Sequence, residues 1–228
     1  MASSVVVPLE KGEQMAPTLG ELINIEVCGS MQKQSPGGAK YYLCFKDDFT
    51  HYRRVFFLQS KNEVSKCLGT LLNEAKNAGR MVNEVLSDGG GEVINSTVKS
   101  VLENSGISSR MSMSYTPQQN GVAERENRTI AESARSMIYA TNLSLKLWAE
   151  AANTFVYVLN RTGPISIKDK SPYELRFSKE VITIDHLHVF RTECFIHVPQ
   201  QKRRKWTKRV LKEFLLATVV KEMVIGYV

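Results

Sequence analysis

The chain has 228 residues, 43% of them hydrophobic and 23% charged, a balance that excludes a disordered chain and leaves room for one well-buried domain plus an appendage. Its apolar stretches fall far short of the roughly 18 residues that a spanning helix needs, and MASSVVVPLEKG has neither a basic leader nor an apolar core of signal-peptide length, so nothing directs the chain to a membrane. The four cysteines form no C-x-x-C pair, which argues for a reducing interior, and the net charge of +7 is concentrated in residues 191–228, where nine Lys/Arg face three Asp/Glu.

Residues 1–20 mix Gly, Pro, Ser and charge without periodicity and read as a lead-in segment. ELINIEVCG (21–29) is a strand candidate, Pro36-Gly37-Gly38 a strong turn signal, and KYYLCF (40–45) and RRVFFL (53–58) two further strands in antiparallel succession. Ser60 followed three positions later by Glu63 is a capping box, which opens a helix whose stripe is Val64, Cys67, Leu68, Leu71, Leu72, Ala75 and Ala78; Gly79 ends it. NEVLSD (83–88) is a short strand. Ile94, Val98, Val101 and Leu102 mark a second helix closed by Gly106, and ISSRMSMS (107–114) is a fifth strand.

After Pro117 a longer helix is predicted from Gly121 to about Asn142, with Ala123, Ile130, Ala134, Met137 and Ile138 on its buried face. Ser144 caps another, whose stripe runs through Trp148, Ala149, Ala152, Phe155, Val156 and Leu159 until Gly163-Pro164 stops it. The order β-β-β-α-β-α-β-α-α predicts an α/β layer architecture with a mixed sheet.

Three carboxylates stand where such a sheet would hold a site. Asp88 ends a strand ahead of Gly89-Gly90-Gly91, Glu124 lies in the first turn of the long helix, and Glu26 lies on the first strand. Carboxylates converging from separate elements suit two divalent ions in phosphodiester chemistry, and Mg²⁺ prefers such oxygen donors. Each also has a plainer account. Glu124 could serve the helix dipole or pair with Arg128, Asp88 could be a turn residue, and Glu26 could simply face solvent. Composition does not choose these three from the 23 acidic residues.

SYTPQQNGVAERENRTIAESARSMIYATNLSLKLWAEAANTFVYVLNRT (114–162) resembles the integrase core of copia-type retrotransposon Pol polyproteins, and TPQQNGVAER (116–125) is a highly specific word for that family. LINIEVCGSM, GGAKYYLCFKDDFTHYRRVFFLQSKNEV, VLSDGGGEV, SPYELRF and HLHVFRTECFIHVPQQKRRKW resemble other parts of it in the same order, from about residue 20 to the end. The resemblance implies a ribonuclease-H-like mixed five-stranded sheet flanked by helices, with a short basic C-terminal extension. It divides the chain into a lead-in (1–20), the catalytic core (21–162) and a post-core segment with the basic cluster (163–228).

It further implies a DNA strand transferase and endonuclease using Mg²⁺ or Mn²⁺, acting on element ends and target DNA as a homo-oligomer inside the cell, in the nucleus. The family's Asp, Asp and Glu fall on Glu26, Asp88 and Glu124, with 35 residues between the last two. Glu26 replaces the first Asp, Gly89 replaces an Asn that is usual after the second, and Arg191 stands where Gly is usual after Phe190; the His/Cys zinc module that normally precedes this core is not in the chain. Near-ideal octahedral geometry tolerates a longer ligand arm poorly, so the other reading is a decayed or domesticated copy that binds nucleic acid without turnover.

For DNA contacts the candidates are Arg125 and Arg128, with Arg135 further along the same helix, and Lys202, Arg203, Arg204, Lys205, Lys208 and Arg209 in the C-terminal cluster. Tyr115 and Gln118 to Asn120 are expected in the loop entering the long helix, which in related integrases is mobile and touches DNA. Trp206 could stack on a base or anchor the tail, and Trp148 reads as core. His186 and His188 would share a strand face near Cys194 and His197, but without a nearby carboxylate or second cysteine they read as packing residues; Asp47-Asp48 reads as a turn pair that bonds backbone.

Overall fold

The computed structural model describes residues 20–87, 95–111, 117–163, 170–178, 184–198, 200–202, 210–216 and 225–226, with backbone alone at 117–124, 126, 196, 202, 211 and 225–226. Five strands form the main sheet: β1 (Leu22–Gly29), β2 (Tyr41–Asp47), β3 (Arg53–Leu58), β4 (Glu84–Ser87) and β5 (Ser108–Met111), in the order β3-β2-β1-β4-β5. β1 pairs antiparallel with β2 and parallel with β4, so the sheet is mixed, as the element order predicted. The helices are α1 (Val64–Asn77), α2 (Ser96–Asn104), α3 (Pro117–Ala140), α4 (Trp148–Thr162) and α5 (Pro172–Phe177).

Side chains alternate across the sheet, and the two faces build separate cores. Ile23 and Ile25 of β1 join Leu43, Phe45, Leu58, Val85 and the stripes of α1 and α2. Cys28, Tyr42, Cys44 and Val55 point the other way, onto Ile130, Ala134 and Ile138 of α3 and Trp148, Ala149, Ala152 and Val156 of α4. The sheet is therefore sandwiched between two helical layers, and even-numbered positions of β1 face α3 and α4.

Most element ends follow their sequence signals. The Glu63 carboxylate accepts the N–H groups of Gln59 (3.1 Å) and Ser60 (2.9 Å), closing a short 3₁₀ turn ahead of α1. Gly79 and Gly106 take left-handed φ of 67° and 68° just past α1 and α2. α2 starts later than expected, because Asn95 caps it by accepting from the Val98 N–H at 2.9 Å; Ile94 lies outside the described residues. β5 is described over Ser108–Met111, all exposed, as befits a sheet edge, and residues 112–114 of the predicted strand lie outside the described residues. α3 begins at Pro117 rather than Gly121, since proline at the first helical position forgoes only an N–H that would be unbonded there anyway, so Gln118 to Asn120 lie in the helix rather than in a loop and Glu124 lies beyond its first turn. At Gly163 the φ is ordinary, but a Cβ would collide with the Leu159 carbonyl oxygen, so only glycine lets the chain leave α4 there.

Beyond residue 163 the chain is more than a tail. Ser171 accepts from the Glu174 N–H at 3.2 Å while the Glu174 carboxylate accepts from the Ser171 N–H at 2.6 Å, a capping box with Pro172 at the first helical position that builds α5. A second antiparallel sheet follows, of β6 (Thr192–His197), β7 (Val210–Leu215) and β8 (Ile225–Gly226). Phe190 and Leu216 are buried in the same core as Ile130 and Trp148, and the Thr154 hydroxyl donates to the Leu216 carbonyl at 3.4 Å, so this segment docks on the α4 side of the main sheet.

Candidate active site beside the central strand

Glu26 sits half-buried in the middle strand of the sheet, opposite Cys44 in the antiparallel register. Being even-numbered, it shares the α3-facing side with Cys28, whose register partner is the fully buried Tyr42. The three groups sense one another. Burial pushes the Cys28 thiol up, against a hydrogen bond with Tyr42 that lowers it, and the Glu26 charge adds to the rise. Burial likewise raises the Tyr42 hydroxyl, with Cys28, Cys44 and Glu26 contributing in the same direction. Tyr42 therefore stays a neutral donor, and its hydroxyl donates to the Asn127 carbonyl on α3 at 3.1 Å.

That bond fixes how α3 crosses the sheet. Asn127 is one turn from Glu124 and on the same helix face, so the backbone at Glu124 is held on the Glu26 side of the sheet within about a helical turn of the Tyr42 contact. On the other flank, β4 runs parallel to β1 with Ile25 paired to Ser87, its last residue. Asp88 follows Ser87 in the chain and lies outside the described residues, as does the side chain of Glu124. Glu26 is thus the member of the expected triad with a described side chain. Among the described residues no group of three or more His, Cys, Asp or Glu could hold a metal.

The other expected site residues divide in the same way. Arg125 and Arg128 are exposed on the outer surface of α3, as is Arg135, while Ile130, Ala134 and Ile138 face the core. Ala123 and Gln118 to Asn120 are described in backbone only, and Tyr115 lies outside the described residues. Lys202 ends a 3₁₀ turn with its side chain undescribed, and Arg203, Arg204, Lys205, Trp206, Lys208 and Arg209 lie outside the described residues.

Two expectations about the remaining polar residues are sharpened. The expected shared strand face is corrected: His186 lies in a turn and His188 in the irregular segment after it; the Tyr157 hydroxyl and His186 Nε2 share a hydrogen bond of 2.9 Å, and Cys194 and His197 of β6 fall on opposite faces of their strand. Asp47 is structural: its Oδ1 accepts from the Thr50 N–H (2.8 Å) and hydroxyl (3.0 Å), and its Oδ2 from the Gly20 N–H (2.9 Å) and Arg176 (3.2 Å). Asp48 accepts from the Asn24 amide at 3.3 Å. Trp148 is core, with its indole N–H donated to the Lys33 carbonyl at 2.9 Å.

One residue near the site escaped the sequence reading. The Asn127 side chain is buried, and neither its amide nitrogen nor its oxygen has a hydrogen-bond partner among the described residues. Its signal was a polar residue on the Ile130, Ala134, Ile138 stripe, three positions before Ile130.

No family model matches the chain. It is 36% identical over 187 residues to the retrovirus-related Pol polyprotein of transposon TNT 1-94 from Nicotiana tabacum, which covers 81% of this chain and 14% of that polyprotein. It is 29% identical to the Pol polyprotein of transposon RE1 from Arabidopsis thaliana, over 68% of this chain and 10% of that one. A third relative is the Gag-Pol polyprotein of yeast transposon Ty1-LR3, 27% identical over 73% of this chain and 10% of its own length. The chain therefore spans a small part of each of these relatives. Among solved structures, a chain of the simian T-cell lymphotropic virus intasome in complex with PP2A regulatory subunit B56 gamma matches with a TM-score of 0.59 at 12% identity, covering 92% of this chain and 74% of that one. The HTLV-2 integrase catalytic core domain in complex with magnesium matches with a TM-score of 0.50 at 14% identity, over 69% of this chain and 96% of that one. Identities this low speak for the fold alone.

Proposed function

Because this chain belongs with the retrotransposon Pol polyproteins and has the fold of an integrase catalytic core, we propose that it is the DNA strand-transfer and endonuclease core of such an element, with Glu26, Asp88 and Glu124 as its metal-holding carboxylates. The observation that carries this reading is the register about β1. Ile25 pairs with Ser87, and Glu26 and Asp88 are the next residues in their respective chains, while Tyr42 ties α3 one turn beyond Glu124 to the same side of the sheet.

A donor set of three carboxylates suits Mg²⁺ or Mn²⁺, hard cations that prefer oxygen. Divalent ions bound there supply the Lewis acidity that phosphodiester cleavage requires. The chain's own residues do the positioning. The carboxylates fix the reacting phosphate between β1 and α3, and Arg125 and Arg128 on the exposed face of α3 hold flanking phosphates. Water cleaves near an element end, and the freed 3′-hydroxyl then attacks a target phosphodiester. The basic cluster from Lys202 to Arg209 holds the DNA through counterion release, and the domain boundaries at residues 20 and 162 separate this core from its flanks.

A second reading is favoured by one residue. Glu26 puts the first carboxylate on an arm one methylene longer than the family's Asp, which keeps the charge and moves its position. In that case the chain binds DNA without turning it over. A strand-transfer assay with Mg²⁺ and Mn²⁺ on the parent, Glu26→Asp and Glu26→Asp/Asp88→Asn separates the two. A weak parent, a gain on the order of 100-fold in Glu26→Asp and abolition by Asp88→Asn is the expected pattern, since misplacement of about 1 Å costs that much. Activity that survives Asp88→Asn sinks the triad. An inactive but folded and DNA-binding Glu26→Asp protein favours the second reading.

A further inference from the structure

At the end of the main sheet away from Glu26, the sequence places an excess of guanidinium groups around an apolar cavity. The cavity has a volume of about 150 Å³ and a floor of Ile23, Phe45 and Leu71, all buried core residues. Three arginines and two carboxylates line it. Arg54 pairs with Glu74 at 3.3 Å on the rim, and Arg176 with Asp47 at 3.2 Å deeper in. Both oxygens of Asp47 are already committed, to Gly20, Thr50 and Arg176. The third arginine, Arg80, lies over the Phe177 ring at 5.6 Å, and its Nη1 is buried without a hydrogen-bond partner among the described residues. Burial, and next the Arg176 charge, hold its guanidinium below the usual arginine range, and Asp47 only partly offsets them.

Arg80 as a whole is half-buried, but a guanidinium nitrogen held out of water without an acceptor costs free energy until an acceptor answers it. The surroundings say what kind. A volume of about 150 Å³ is enough for a benzene-sized group, and here the floor is apolar and the rim charged. A bare phosphate or sulfate would leave the apolar floor uncovered, whereas a carboxylate on a small aromatic or branched aliphatic body would meet both the floor and the guanidinium fork. We propose that this cavity is a binding site for a small apolar monocarboxylate, with Arg80 as the anion contact, Arg176 supporting it, and Ile23, Phe45 and Leu71 covering the body of the ligand. The assignment is independent of the integrase reading, because the cavity lies at the start of β1 and the end of β2 and shares none of the triad residues.

The test is a titration of the full chain with benzoate, its neutral isostere benzamide, and inorganic phosphate, followed by calorimetry and by the backbone amide resonances of Gly20 and Ala78. Benzoate is expected to saturate with a dissociation constant on the order of 1 mM, the range open to a ligand of its size. Benzamide and phosphate should each bind at least about tenfold more weakly, and Arg80→Met should weaken benzoate by a similar factor. Ala78→Leu, which fills the cavity from the exposed residue after α1, should also abolish binding and stands in should Arg80→Met fail to fold. A short peptide ending in phenylalanine with a free C-terminal carboxylate, run in parallel, distinguishes a protein segment from a free small molecule as the source. Absence of saturable benzoate binding, equal binding of benzamide or phosphate, or wild-type affinity in folded Arg80→Met or Ala78→Leu would each overturn the proposal.

Discussion

Asp47→Ala should be among the most damaging single substitutions in the chain, although the residue belongs to no expected active site. The side chain is 3% exposed and accepts four hydrogen bonds, two of them from backbone N–H groups and one from the buried Arg176. Breaking a buried ion pair from one side costs about 3–5 kcal/mol, because the remaining charge is left buried and unanswered. Here the remaining charge is Arg176, with Arg80 already nearby, so the upper part of that range applies. For a chain of this size a loss of about 4 kcal/mol lowers Tm by roughly 8–16 °C. Arg176→Met should cost less, since Asp47 keeps three donors. Urea unfolding of both single variants and the double variant measures the pair directly: the double variant should be more stable than the sum of the singles predicts by about 1–3 kcal/mol. Losses under about 1 kcal/mol for Asp47→Ala, or strict additivity, would refute the view that this pair clamps α5 to the sheet.

Further outcomes follow from other residues. Asn160 on α4 accepts from the Arg53 N–H and donates to the Arg53 carbonyl, both at 2.8 Å, so Asn160→Leu strands two backbone groups of edge strand β3 and should cost about 2–4 kcal/mol in the same unfolding assay. Burial raises the Glu150 carboxyl above its unfolded value, and its Oε2 has no hydrogen-bond partner among the described residues. A raised carboxyl pKa means the folded state holds its proton longer, so stability falls as pH rises from the unfolded value through the folded one. Glu150→Gln should therefore gain on the parent in unfolding at neutral and higher pH, with the gain vanishing below the unfolded pKa. Neutralising Lys202, Arg203, Arg204 and Lys205 together should weaken DNA binding of every sequence and flatten the logarithmic salt slope by up to about 3.6, at roughly 0.9 per phosphate contact; an unchanged slope would move the DNA surface elsewhere.

The parts of the fold that were legible were those set by local periodicity. The alternation in LINIEVCG and YYLCF and the stripes from Val64 to Ala75 and Ile130 to Ile138 each found its expected face. What the sequence did not disclose is what distant residues agree to bury. Arg176 and Asp47 are 129 positions apart, and neither carries a local mark of its partner. Asn160 looks like an ordinary helix residue until the edge strand it caps is in place. α5 is a different case: Ser171-Pro172 with Glu174 is a capping box that periodicity overlooked because the helix has only six residues and no second turn to make a stripe.

The site is legible in a more limited way, and the reason lies in Glu26 itself. A strand residue projects to one face or the other by parity, so its even number on β1 is enough to direct it toward α3 once Ile23 and Ile25 are known to be core. Parity fixes direction and not reach. Beside Glu26 the sheet carries Tyr42, fully buried and bonded to both Cys28 and the α3 backbone, so the strand cannot shift to absorb an extra methylene without breaking that contact. The longer arm must then place the carboxylate beyond the position of a shorter one or fold back by rotamer choice, at about 0.5–1.5 kcal/mol if it leaves its preferred well. On the proposed metal-holding role, that cost is small beside the charge's hold on a divalent ion, while the displacement of the carboxylate is large beside the tolerance of octahedral geometry. Metal affinity and turnover should accordingly respond differently to Glu26→Asp, with affinity changing little and rate changing much.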